Sequence, residues 1–145
     1  MMSIIATPIT HKVMIRSDQT KVFDSLTTAD GLDGWFTKGA QVDRRPGGRI
    51  IFKWVDWGVD KMNTQATCPI VEVKIPERIV FRWWEDHYTT VEIDFIEVEE
   101  GTVVNLKEYG YANTIEGHQR CLECAVGWGE ALTLLKFYCE YGLRY

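Results

Sequence analysis

The sequence predicts an α+β protein in which a curved, seven-stranded antiparallel sheet wraps around one long C-terminal helix, with two short helices after the first strand. Two periodicities predict this class. Over most of 40–110, hydrophobic residues alternate with polar ones, as in β-strands. Over 114–141 the hydrophobic residues recur at helical spacing instead. The length of 145 residues suits one compact unit, so we take 1–145 as a single domain.

The N-terminal part of the chain supplies the first strand and both short helices. Alternation predicts a strand over 9–16. Ser17 and Asp18 are good helix N-caps, and hydrophobic spacing predicts a short helix over 18–27. Thr28 can cap a second short helix. The apolar face of that second helix consists of Leu32, Trp35 and Phe36.

Six further strands and the long helix follow. The strands are predicted over 40–44, 48–55, 62–75, 78–85, 90–99 and 102–109. Because most are joined by short turns, we expect them to pair antiparallel in sequence order. Asn113 with Glu116 resembles a capping box, and Gly142 lies where a C-terminal cap belongs. A helix of this length is ~40 Å long, enough to cross the sheet.

The strand faces that point toward the long helix are rich in aromatic residues. Alternation turns Phe52 and Trp54 inward on one strand, and Phe81 and Trp83 on another. Two interpretations of this lining remain open. One is a filled core, and the other is a partly open apolar cavity with a few polar anchors, the usual form of a small-molecule site.

Glu108 is the polar residue that could give such an interior its chemistry. It shares a predicted strand face with Val104 and Leu106, and an inward carboxylate has a raised pKa unless it is paired. His118 and Arg120, near the start of the long helix, are candidate partners. In the alternative interpretation the strand end frays and Glu108 is solvated.

The other reactive side chains are better explained as structural. Cys121-x-x-Cys124 lies inside a predicted helix, away from the helix N-terminus that a redox pair needs, and no second ligand pair completes a zinc site. His11 is interpreted as a satisfied core histidine, and His87 as part of a solvated turn. We therefore predict neither a metal nor a cofactor.

Several short motifs, in their order along the chain, resemble one known superfamily. They are Val22-Phe23, Gly34-Trp35-Phe36, Pro46-Gly47-Gly48, Phe81-Arg82-Trp83, Gly101-Thr102 and Gly127-Trp128. The chain resembles the SRPBCC (START-like) superfamily, in the branch of the activator of heat-shock-protein-90 ATPase homologues. This resemblance covers nearly the whole chain and implies the helix-grip fold, with a hydrophobic cavity between sheet and long helix. The wider superfamily binds lipids, hormones and polyketides, and some members are enzymes.

The leading functional hypothesis is a module that binds a small apolar or aromatic ligand in that cavity. One alternative is an acid–base enzyme that uses the same cavity through Glu108 and His118. The other is a stand-alone chaperone-associated protein, which predicts an exposed apolar patch and a chaperone as partner. The candidate ligand-binding residues are Trp35, Phe52, Trp54, Phe81, Trp83, Phe95, Glu108, His118 and Trp128.

Charge and hydropathy exclude other partners. The chain has 16 Lys and Arg against 21 Asp and Glu, a net charge of −5, which disfavours nucleic acid and anionic membranes. No apolar run is long enough to span a membrane and no secretory signal is evident, so we expect a soluble cytoplasmic protein with free thiols. Both a monomer and a homodimer remain open, the latter through exposed aromatic residues such as Trp57 or Trp84.

Overall fold

A computed structural model of the chain describes residues 3–83 and 89–145. The predicted Trp84 contact and the turn around His87 lie outside these residues. The α+β class is confirmed, with two short helices after the first strand and one long helix at the C-terminal end. The elements are β1 (Ile9–Ile15), α1 (Gln19–Thr27), α2 (Ala29–Trp35), β2 (Gln41–Val42), β3 (Arg49–Trp57), β4 (Met62–Lys74), β5 (Arg78–Trp83), β6 (Thr89–Val98), β7 (Gly101–Tyr109) and α3 (Ile115–Tyr141).

The seven strands form one antiparallel sheet in the order β1-β7-β6-β5-β4-β3-β2. Strands β2 to β7 are neighbours in sequence order, as their short connections favour, and β1 lies at the other edge of the sheet beside β7. One row of paired residues runs across four strands and consists of Ile9, Glu108, Val91 and Phe81. All four are buried, so the alternation predicted for these strands is confirmed.

The ends of α3 differ in how well the sequence predicts them. Gly142 caps the C-terminal end as expected, with a φ of 69° and its N–H donated to the carbonyl of Tyr138 at 2.9 Å. The predicted capping box at Asn113 is wrong. The N-cap is Thr114, whose hydroxyl accepts the N–H of Gly117 at 3.0 Å.

The long helix is fastened mainly to β1. Its Lys136 ammonium donates to the carbonyl of Met14 at 2.6 Å, and His11 Nε2 lies 2.8 Å from the carbonyl of Ala125. These contacts agree with the predicted structural role of His11. They also hold α3 against β1, the edge strand of the sheet.

The opposite face of α3 is also apolar. An outer stripe of hydrophobic side chains lies at positions separated by helical repeats, so that they share one face. It consists of Ile115, Leu122, Val126 and Phe137, which are 88%, 69%, 73% and 40% exposed.

In the described ranges, no helix is sufficiently long and apolar to cross a membrane.

Packing of α1 on α2 leaves no room for a side chain at Gly31. A Cβ there would lie 2.3 Å from the carbonyl oxygen of Asp24 and 2.6 Å from the Cα of Ser25, both backbone atoms. We expect Gly31→Ala to lower the free energy of unfolding by about 2–3 kcal/mol. The matched control is Gly127→Ala on α3, where a Cβ meets nothing within 4 Å and helix propensity favours alanine. Urea unfolding should show that control to be about 0.5–1 kcal/mol more stable than wild type; equal effects of the two substitutions would contradict the packing.

Candidate ligand-binding site

The interior between the sheet and α3 contains a continuous aromatic cluster. The ring centroid of Phe52 lies 5.1 Å from that of Trp83 and 5.7 Å from that of Trp54. Trp83 of β5 in turn lies 5.3 Å from Trp128, the ring that α3 contributes. Most ring pairs within the whole cluster are edge-to-face, an arrangement that the quadrupoles of aromatic rings favour. The aromatic cluster consists of Phe36, Phe52, Trp54, Phe81, Trp83 and Trp128.

A buried carboxyl group adjoins this cluster. Glu108 on β7 has no exposed surface. Its Oε2 accepts hydrogen bonds from the Thr89 hydroxyl at 2.5 Å and the Tyr111 hydroxyl at 2.7 Å. Its Oε1 accepts the indole N–H of Trp128 at 2.9 Å. The inward orientation of Glu108 is therefore confirmed, and Trp128 joins the carboxyl group to the aromatic rings.

The surroundings of Glu108 favour protonated groups. Burial raises the pKa of Glu108, and its three hydrogen bonds oppose that rise only in part. Burial and the nearby Glu108 charge also raise the pKa of Tyr111, so its hydroxyl stays a donor. All three described donors are uncharged, and no lysine or arginine is buried among residues 3–83 and 89–145. The site is thus an apolar environment with one carboxyl group and no compensating cation in the described chain.

The stability of the wild type relative to a Glu108→Gln variant is expected to fall as the pH rises. Because the native pKa is raised, the native state holds this proton more tightly than the unfolded chain, where the pKa is about 4.3. The relative stability is greatest below the unfolded pKa, falls between that value and the raised native pKa, and is constant above it. Urea unfolding of both proteins across this range measures the difference. A difference that grows with pH would contradict the buried uncompensated carboxyl group.

Two of the predicted ligand-binding residues, Phe95 and His118, are not brought into the cluster or against Glu108, and a third, Trp35, lies at the edge of the cluster. Trp35 is buried, its indole N–H donates to the carbonyl of Ser25 at 2.8 Å, and its ring stacks on Phe36 with the centroids 4.8 Å apart. Phe95 packs edge-on against a ring of α1, 5.0 Å away, because its position on β6 lies under that helix. His118 lies exposed on the first turn of α3, with Nε2 2.8 Å from Asn113 Oδ1, so it does not reach the interior.

Sequence reasoning also missed three residues that the structure brings to the site. Phe36 was assigned only to the face of a short helix, although its ring lies 5.4 Å from that of Trp54. Thr89 is the first residue of β6, and Tyr111 lies two residues after the end of β7. At such positions, strand alternation does not predict whether a side chain points inward. The useful signal was the short distance in sequence between Glu108 and Tyr111, which lets the hydroxyl reach the carboxyl group after the chain turns.

Cys121 of α3 has the properties of a structural thiol. Burial and the neighbouring Glu108 carboxyl group both raise the pKa of Cys121. A reactive cysteine requires the opposite shift. In the described residues, His, Cys, Asp and Glu form no group able to hold a metal ion.

A curved seven-stranded antiparallel sheet around a long C-terminal helix is the helix-grip fold of the SRPBCC superfamily. Within that class, the sequence profile of the family described as "Activator of Hsp90 ATPase homolog 1-like protein" matches residues 16–140. The chain belongs to this family. A comparison with curated proteins gave no match.

Solved structures share the fold along nearly the whole chain. Bacillus halodurans protein BH1534 is 20% identical with a TM-score of 0.76, over 96% of this chain and 100% of that one. The Aha1 dimer from Colwellia psychrerythraea is 20% identical with a TM-score of 0.78, over 94% and 98%. DynU16, a putative protein in the dynemicin biosynthetic locus, is 15% identical with a TM-score of 0.77, over 93% of this chain and 48% of that one.

Proposed function

We propose that the protein binds a small, mostly apolar aromatic molecule between the sheet and α3. The observation that carries this proposal is the fully buried Glu108 beside the aromatic cluster, held by uncharged donors. Glutamate is rarely buried without a cation, because desolvating its charge is costly. An apolar interior with a few convergent polar groups and a perturbed pKa is the usual composition of a small-molecule site.

The position of the cluster supports the same function. Trp83 on β5 and Trp128 on α3 are in contact where sheet and helix meet, with their ring centroids 5.3 Å apart. A flat ligand that separates these rings would contact aromatic surface on both sides. Burying that surface contributes about 25 cal/mol per Å². Family membership supports the proposal too, since the fold places a long helix over the sheet in this way.

N-phenyl-1-naphthylamine, a neutral dye that fluoresces in apolar surroundings, tests the proposed site. We expect the wild type to bind the dye and Trp83→Leu to bind it about tenfold more weakly, because one wall of the site loses its aromatic surface. Leu122→Ser, which changes only the outer stripe, is the matched control and should bind like the wild type. No dye binding, or binding that depends on Leu122 and not on Trp83, would refute the proposal.

Association with a chaperone is a second candidate function, and the outer stripe favours it. Exposed apolar side chains along a helix are typical of protein-binding surfaces. Leu122 and Val126, 69% and 73% exposed, form the middle of this stripe. The family description, which names an activator of the Hsp90 ATPase, indicates which chaperone to test.

ATP hydrolysis by the Hsp90 of the same organism, with and without this protein, measures that activity. Stimulation by the wild type that is lost in a Leu122→Ser, Val126→Ser double variant is the result expected of a chaperone partner. The Trp83→Leu variant is the control, because its substitution lies in the interior. Unchanged hydrolysis with the wild type would exclude this function.

A further inference from the structure

The indole N–H of Trp54, in the aromatic cluster, has no acceptor in the part of the chain that the structure describes. Trp54 is only 3% exposed, and its Nε1 makes no hydrogen bond within those residues. Two other buried indoles are satisfied: Trp35 donates to the carbonyl of Ser25 at 2.8 Å, and Trp128 donates to Glu108 at 2.9 Å. A buried donor without an acceptor costs about 1–3 kcal/mol, so each such group calls for an explanation.

The residues around Trp54 indicate what kind of molecule could supply an acceptor for its indole N–H. Its ring is enclosed by Phe36 at 5.4 Å, Phe52 at 5.7 Å and Trp83 at 5.9 Å, measured between centroids. The rings of Phe36 and Phe52 have no hydrogen-bonding atoms, and the indole of Trp83 carries a donor and no acceptor. An acceptor that reaches Trp54 Nε1 from this side must therefore be carried by a molecule that otherwise fits aromatic surroundings.

The charges of the interior decide whether that acceptor is ionic. Among the residues that the structure describes, Glu108 is the only buried residue with an ionisable acidic or basic side chain of the Asp, Glu, Lys or Arg types. No buried lysine or arginine accompanies it. A ligand carboxylate or phosphate would be desolvated without a cation and would lie in the same interior as Glu108. A neutral acceptor has neither cost.

We infer that the interior selects a neutral, planar aromatic ligand with a carbonyl-type acceptor, which accepts the hydrogen bond of Trp54 Nε1–H. This inference rests on the proposed ligand-binding function and adds the chemical class of the ligand. It assigns Trp54 the role of the specificity-determining donor, while the remaining rings of the aromatic cluster supply apolar contact. Anionic ligands of the same shape are excluded.

Three naphthalenes of similar size separate these contributions. 2-Acetonaphthone carries a neutral carbonyl, 2-ethylnaphthalene carries none, and 2-naphthoate is an anion at pH near neutrality. We expect the ketone to bind about tenfold more tightly than the hydrocarbon, which corresponds to 1.4 kcal/mol, and the anion to bind most weakly. Trp54→Phe should bind ketone and hydrocarbon equally. Trp57→Phe is the control and should keep the preference, because it keeps a ring at the edge of the cluster, where Trp57 contacts Phe36 and Tyr145, and leaves the indole N–H of Trp54 in place.

The outcomes separate the inference from the function on which it rests. Equal binding of ketone and hydrocarbon by the wild type, or a preference retained in Trp54→Phe, overturns the inference and leaves ligand binding intact. Binding of none of the three overturns both. If Trp54→Phe does not fold, the assigned indole N–H signals of the wild type decide. The Trp54 proton should move downfield with the ketone and not with the hydrocarbon, and an unmoved signal under saturating ketone overturns the inference.

Discussion

Replacing Phe52 by alanine is expected to lower the free energy of unfolding by about 3–5 kcal/mol and the Tm by about 10–15 °C. Phe52 is 1% exposed and lies at the centre of the aromatic cluster. Its ring is within 6 Å of Phe36, Trp54, Phe81 and Trp83, measured between centroids. Removing it leaves a cavity whose walls are other rings, and rigid rings collapse poorly into an empty volume.

Phe137→Ala is the matched control for that experiment. The same side chain is removed, but Phe137 lies on the outer stripe of α3 and is 40% exposed. We expect a change of less than about 1 kcal/mol, since alanine also has the higher helix propensity. Chemical denaturation of both variants gives the comparison. If the two substitutions have similar effects, the aromatic cluster is not the packed centre of the fold.

Glu108→Leu is expected to have the second largest effect, a loss of about 3 kcal/mol at neutral pH. Leucine fills a similar volume but leaves the Tyr111 hydroxyl and the Trp128 indole N–H without their acceptor. Each buried donor that loses its partner costs about 1–3 kcal/mol, and removing the desolvated carboxyl group offsets part of the sum. The donors, and not the charge, therefore determine the result.

Glu108→Gln separates the hydrogen bonds from the charge. Glutamine keeps one acceptor oxygen for the Thr89 and Tyr111 hydroxyls, but its amide NH2 leaves the Trp128 indole N–H without an acceptor. Removal of the desolvated charge offsets much of that loss, so we expect its stability to be about 1 kcal/mol below that of the wild type at neutral pH. Guanidinium unfolding should therefore rank the variants with Glu108→Leu well below Glu108→Gln. Equal stabilities would mean that the donors find other partners and that Glu108 does not organise this part of the interior.

Strand alternation was sufficient to predict much of the site. Because side chains on a strand alternate between two faces, the sequence alone turned Phe52 and Trp54 inward, and it offered an inward Glu108 beside the alternative of a solvated one. The structure buries all three. Helical spacing likewise placed Trp128 on the inner face of α3, where it is 5% exposed. These placements depend only on local geometry.

The predicted site residues that lie away from the aromatic cluster are those whose neighbours depend on how the elements cross. Phe95 alternates correctly into the interior, but α1 lies over it and its ring meets Phe23. His118 directly follows the buried Gly117, about 100° further around α3, and its hydrogen bond with Asn113 holds it at the surface. The unpartnered N–H of Trp54 follows from the packing of three other rings around it. No spacing rule contains this information.

The exposed face of α3 shows a second limit of pattern reading. The sequence predicts one apolar stripe along the helix, which faces the sheet. In the structure the inner face is buried as expected, and the outer stripe of Leu122, Val126 and neighbouring residues is apolar as well. Trp57, predicted as an exposed contact for a dimer, is instead half-buried, with its ring 4.3 Å from that of Tyr145.

Contacts between a bound aromatic molecule and the labelled protein test the central claim most directly. An isotope-filtered nuclear Overhauser experiment with N-phenyl-1-naphthylamine reports which side chains lie next to the ligand. A ligand between the sheet and α3 should give cross-peaks to Trp54, Trp83 and Trp128. Cross-peaks confined to Leu122, Val126 and the rest of the outer stripe would contradict an interior site and leave α3's outer face as the functional surface.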